Sequence, residues 1–89
     1  MIARDAIIIN KLGLHARAAS KLVSCASGFA AEIWLQREDR EVNGKSIMGV
    51  LTLAASQGTH LTVRCDGPDE RTALAAILDL IDSRFGEDG

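Results

Sequence analysis

The residues best suited to chemistry in this chain stand together in the segment NKLGLHARAAS, residues 10 to 20, where His15 has Arg17 two positions ahead and Gly13 two positions behind. Histidine offers a nitrogen nucleophile that is neutral near pH 7, because an ordinary imidazole titrates at about 6.5. A phosphorylated imidazole is also a good leaving group, so such a residue suits a relay that hands the group on. Arginine supplies a permanent cation whose planar fork matches phosphate oxygens. Both residues lie where an apolar, strand-like run gives way to an alanine-rich, helix-like one, which puts His15 at or just before the first turn of a helix. The backbone N–H groups there have no intrahelical partner, and the helix end carries roughly half a positive charge. An anion at such a place gains about 0.3–1 kcal/mol, or about 2 kcal/mol when partly buried. Together these features read as a place for a doubly charged phosphoryl group.

The same residues, taken singly, have blander readings. A lone histidine at a helix start is usually a hydrogen-bonding or solvent-facing residue, and a lone arginine a surface charge. No second protein nucleophile, acid pair or glycine-rich phosphate loop accompanies them, so a free-standing enzyme is hard to assemble here. If His15 reacts, another protein must supply the rest of the chemistry. Two other function classes compete. One is a ligand-binding regulatory module, since ACT-like domains also use a mixed β-α-β-β-α-β architecture. The other is a protein-binding regulator in which phosphorylation of Ser46 is the only switch.

The elements that must position these residues follow from hydrophobic period and breakers. Ala6 to Ile9 is a short, β-branched run that stops at Asn10-Lys11-Leu12-Gly13, as a strand does at a turn. From Ala16 to about Ala26, Ala19, Leu22, Val23 and Ala26 form one helical stripe, and Gly28 offers the permissive residue that ends helices. Ala31 to Gln36 alternates, with Ile33 and Leu35 on one face. Arg37 to Arg40 is turn-like, and Glu41 to Gly44 returns as a weak strand, which makes a hairpin. Ser46 is a good N-cap for a short helix carrying Ile47, Val50, Leu51 and Ala54, ended by Ser56 to Thr59. Leu61, Val63 and Cys65 alternate in a last strand. Gly67-Pro68 breaks it, and Asp69 can cap a final helix with the stripe Leu74, Ile77, Leu78 and Ile81. Asp69 and Glu70 at its start and Arg84 at its end suit the helix dipole. Gly86 to Gly89 should fray. The order is β-α-β-β-α-β-α, one sheet with all helices on one face, in a single domain over residues 1–89.

Composition narrows the partners. The chain has 89 residues, 47% of them hydrophobic, enough for one core that buries somewhat over ~60% of the unfolded surface. Twelve acids against ten bases give a net charge of −2, which argues against a nucleic-acid binder and makes any anion site a local one. No apolar run approaches the roughly 18 residues that span a bilayer, and Met1 to Asp5 lacks the pattern of an export signal, so the expected location is the cytoplasm, with no membrane partner. Cys25 and Cys65 are then expected to be reduced, and with His15 and His60 they show no metal-ligand spacing, so neither a metal nor another cofactor is expected.

The motifs resemble those of the HPr family, the small phosphocarriers of bacterial phosphotransferase systems. The resemblance rests on GLHAR at residues 13–17, GKSIMGVLTLAAS at 44–56, QGT at 57–59, and the ordering of elements across essentially the whole chain. It implies an HPr-like open-faced β-sandwich of α+β class, with a four-stranded antiparallel sheet covered on one face by three helices. It also implies that His15 accepts a phosphoryl group, on the ring nitrogen facing the helix N-terminus, from the phosphoenolpyruvate-dependent Enzyme I and passes it to a histidine of an enzyme IIA protein. Arg17 carries over as the residue that interacts with that group. Ser46 matches a second, regulatory phosphorylation position served in some lineages by an HPr serine kinase/phosphorylase. Ala16, Ile47, Met48 and Leu51 match the surface that meets partners, a role best served by a monomer. Two positions depart from the common pattern: Ala18, where many members have proline, and Gly49, where sugar-branch members often carry a basic residue. NKLGLHAR and the acidic FGEDG tail look more like the nitrogen-related branch, NPr.

Overall fold

The computed structural model describes all 89 residues. Four strands, β1 (Ile2–Ile7), β2 (Glu32–Arg37), β3 (Arg40–Asn43) and β4 (His60–Asp66), form one sheet in the order β1-β4-β2-β3. Every neighbouring pair is antiparallel, with Ile2 opposite Cys65, Leu35 opposite Val63 and Leu35 opposite Val42. Helices α1 (Ala16–Ser27), α2 (Ile47–Thr52) and α3 (Glu70–Asp82) complete the β-α-β-β-α-β-α order, followed by a 3₁₀ turn at Arg84–Gly86. The expected four-stranded sheet with three helices is therefore what the chain builds.

The period-2 faces explain the layering. Ile33, Leu35, Leu61, Val63 and Cys65 are fully or almost fully buried and meet the helical stripes Ala18, Ala19, Leu22 and Ala26 of α1 and Ala73, Leu74, Ile77 and Ile81 of α3. Their intervening residues make the other face of the sheet, where Arg64 stacks over Trp34 at 4.7 Å and reaches Glu41 at 2.8 Å. That face is closed by polar pairing rather than by a helix. Burial raises the pKa of both Cys25 and Cys65, which are free thiols.

Several element boundaries differ from the sequence reading. Strand β1 begins four residues earlier than Ala6 and stops at Ile7, because its ladder follows β4, whose first residue, His60, pairs with Ile7. Ile8 continues inward, fully buried, and exchanges backbone bonds with Thr59 and Gly58. Ala54 is not part of α2. It adopts φ 50° beyond the helix and is exposed, while Val50 and Leu53 fill the core. Arg84 does not end α3 but lies beyond it at φ 57°. Gly28 closes α1 at φ −77°, so its left-handed freedom is unused.

Asp69 occupies the N-cap position of α3, but its side chain does not cap the helix. Both carboxylate oxygens instead accept N–H groups just before β2, from Ala30 at 2.9 Å and Ala31 at 2.8 Å. The expected cap is thus a tie between α3 and β2, and Glu70 serves the turn by accepting from Gly67 N–H at 3.1 Å.

Candidate functional site

His15 is the N-cap of α1, in extended conformation at φ −71°, ψ 178°. The loop before it is shaped by Gly13, which adopts φ +68° and packs so tightly that a Cβ would stand 2.5 Å from the Ala55 carbonyl oxygen. Leu14 N–H donates to that same carbonyl at 2.8 Å, and the buried Leu14 side chain anchors the turn from below. A left-handed residue with no side chain is required there, at the turn where the sequence ends its first strand.

The two ring nitrogens of His15 have different environments. Nδ1 faces the start of α1 and accepts the Arg17 backbone N–H at 3.3 Å. Nε2 lies 2.6 Å from Oε2 of Glu87 in the tail. An ionised carboxylate can only accept, so the ring proton sits on Nε2 and the Nδ1 lone pair is left toward the helix. The pKa of Glu87 is held below the usual carboxylate range, first by the His15 hydrogen bond and next by Asn10. Ala16 and Ala18, like Arg17, are first-turn residues whose N–H groups find no intrahelical acceptor.

Arg17 is exposed and its guanidinium makes no hydrogen bond or ion pair with the protein. It lines an open crevice of about 430 Å³ together with Lys11, Lys21, Glu87 and Asp88. The crevice collects three cations beside His15 in a chain whose net charge is −2. Two carboxylates, Glu87 and Asp88, line it as well.

Two residues of this site escaped the sequence reading. Asn10 is fully buried and donates from Nδ2 to Gly13 O at 2.8 Å and to Glu87 Oε1 at 3.0 Å. Glu87 belongs to the segment expected to fray, yet its side chain is only 10% exposed. The chain folds back because Phe85 is buried in the core and Lys21 Nζ donates to Phe85 O at 2.6 Å. An asparagine directly after an apolar run was the one signal available for the first. Nothing local marks the second.

Ser46 stands at the N-cap of α2, and its Oγ accepts Gly49 N–H at 3.1 Å, as its type and position led one to expect. Ile47 and Met48 project outward at 38% and 68% exposure, Ala16 is exposed, and Leu51 is half-buried against the core. Helix α2 packs on α1, and the Ala55 carbonyl just beyond α2 receives the Leu14 N–H next to His15. Leu12, 63% exposed on the loop before His15, adds an apolar residue that the sequence did not single out. Ala18, third in α1, is fully buried.

Comparison with known proteins places this geometry. Residues 2–83 match the family model PTS-HPr, described as the PTS HPr component phosphorylation site. The chain belongs to the HPr family. It is 54% identical to the phosphocarrier protein HPr of Xylella fastidiosa (strain 9a5c), over 99% of each chain. The crystal structure of HPr-C-His from Thermoanaerobacter tengcongensis superposes with a TM-score of 0.97 at 44% identity, covering 100% of both chains. A structure described as an HPr dimer from the same organism gives 0.79 at 46% identity, over 92% of this chain and 94% of the other. This HPr chain is thus a phosphocarrier of a phosphotransferase system, with the open-faced sandwich of that family, and the ACT-like alternative falls away. No helix of this HPr is long and apolar enough to cross a membrane.

Proposed function

We propose that His15 is the phosphoryl acceptor of this HPr, that it is loaded from phosphoenolpyruvate through Enzyme I, and that it passes the group to a histidine of an enzyme IIA protein. The observation that carries this reading is the Nδ1 lone pair of His15 standing at the N-terminus of α1, with the ring proton on the opposite nitrogen. In loading, the Nδ1 lone pair attacks phosphorus while the bond from phosphorus to the donor nitrogen breaks and its electron pair returns to the donor. The phosphoryl oxygens then meet the first-turn N–H groups of α1, which stabilise charge without transferring it. Arg17, exposed and unpaired, supplies the cation for those oxygens by a change of rotamer.

The protein acts as a carrier and not as an enzyme in its own right, working in the cytoplasm as a single-domain monomer over residues 1–89. Ala16, Ile47, Met48 and Leu51 form the docking patch for Enzyme I and enzyme IIA, with methionine adapting to both. Ser46 is the regulatory position for an HPr serine kinase/phosphorylase where the host has one, its phosphate adding nearly two negative charges beside Ile47 and Met48. The relay serves sugar uptake or nitrogen-related regulation according to which enzyme IIA dephosphorylates it.

Incubation with labelled phosphoenolpyruvate and a cognate Enzyme I is expected to give an acid-labile phosphoprotein, with His15→Ala losing the label entirely. Equal labelling of His15→Ala would overturn the assignment.

A further inference from the structure

Three separate features converge on Glu87. The chain reaches it through consecutive left-handed residues, Arg84 at φ 57°, Phe85 at φ 55° and Gly86 at φ 75°. Such a conformation is strained for a residue other than glycine and persists only where the surroundings enforce it. Here the buried Phe85 ring and the hydrogen bond from Lys21 Nζ to Phe85 O enforce it. The second feature is Asn10, which ties the carboxylate to the carbonyl of Gly13 and so to the loop that sets His15. The third is the 2.6 Å contact between Glu87 Oε2 and His15 Nε2.

We infer that Glu87 is a positioning residue for phosphoryl transfer, its carboxylate keeping a proton on Nε2 of His15 in both the free and the phosphorylated protein. The inference rests on His15 being the phosphoryl acceptor. In the free protein the proton on Nε2 makes Nδ1 the nitrogen with a lone pair. When Nδ1 bonds to phosphorus, the ring gains positive charge, and the carboxylate on Nε2–H lies against it. In onward transfer the P–Nδ1 bond breaks and its electron pair returns to Nδ1. With Nε2 still protonated, the group that leaves is neutral imidazole. Without that proton it would leave as imidazolate, a far poorer leaving group. The carboxylate acts like the acid partner of a catalytic histidine, holding tautomer and orientation without taking the proton. The other charged groups facing it are Arg17 of α1 and, in the crevice, Lys11, Lys21 and Asp88. The hydrogen bonds from His15 and Asn10, with a smaller contribution from the charge of Arg17, hold the Glu87 pKa low and keep the carboxylate ionised.

Glu87→Gln keeps the shape and removes the charge, and Glu87→Ala removes both. Ring ¹⁵N spectra at pH 8 are expected to show the Nε2–H tautomer dominant in the unaltered protein and a mixture in Glu87→Ala. With phosphorylated protein and a cognate enzyme IIA, Glu87→Gln is expected to transfer roughly tenfold more slowly at pH 8, with the fall of rate against pH moved about one unit lower. Amide spectra confirm that each variant is folded. Unchanged tautomers and an unchanged pH profile, in protein that labels normally, would overturn the role of Glu87 alone. Failure of the unaltered protein to take up label at all would overturn the acceptor reading, while the tautomer populations still report whether Glu87 governs the ring.

Discussion

At the scale of single residues, Gly13 shows how a backbone position governs chemistry two residues away. Its φ of +68° and its 2.5 Å approach to Ala55 O leave no room for a Cβ, because the obstacle is main chain and cannot swing aside. Gly13→Ala is expected to cost about 2 kcal/mol, lowering the melting temperature by roughly 10 °C, and to slow labelling of His15 by shifting the loop. Thermal melts and the phosphoenolpyruvate assay check both effects, and an unchanged melting temperature would contradict the required role of glycine. That His15, Arg17 and Gly13 stand together at a helix start could be read from the sequence, because it follows from short spacing. Glu87 could not, since its contact with His15 spans 72 residues and an acidic, glycine-flanked tail has the composition of a solvated end. Asn10 is the intermediate case. Its position after an apolar run marks a turn, but its buried link to the tail exists only in the fold.

At the scale of elements, the number, kind and order of strands and helices were legible because periods of 2 and 3.6 are clear in β2, β4, α1 and α3. The edges were less so. Strand β1 is extended as far as β4 offers partners, so its start is decided by Cys65 and not by its own apolar run. Asp69 illustrates the same rule for side chains: a residue typed for capping is taken by two N–H groups just before β2 instead. Those bonds hold its pKa below the usual carboxylate value, with Ala30 N–H the first cause. A carboxylate whose pKa is lower folded than unfolded contributes stability above the unfolded value, near 3.9, and that contribution is lost as pH falls through the folded value. Asp69→Ala is therefore expected to lower the melting temperature at pH 7, with the deficit shrinking as pH is brought below about 4. A deficit that is constant across pH would show that the carboxylate is not the stabilising group. In the full chain this tie matters to function because α3 leads into Phe85 and the tail.

At the scale of the whole molecule, the fold separates two surfaces. The outer face of the sheet is closed by Trp34, Arg64 and Glu41, while the start of α1, α2 and the tail present His15, the cations of the crevice and the exposed Leu12, Ile47 and Met48. Exposed cations and apolar side chains on the helix-bearing side are what the proposed docking of successive partners requires. This division was readable only in part. The composition called for a local anion site and the HPr resemblance supplied the proposed docking residues, but the third wall of the site is the folded-back tail. The central claim, that Nδ1 of His15 carries the phosphoryl group, is tested most directly on ¹⁵N-labelled protein phosphorylated through Enzyme I, by locating phosphorus on the imidazole ring with ³¹P and ¹⁵N spectra. The expected result is phosphorus on Nδ1 of His15 with the proton retained on Nε2. Phosphorus on Nε2, on His60 or on Ser46 in that reaction would contradict it.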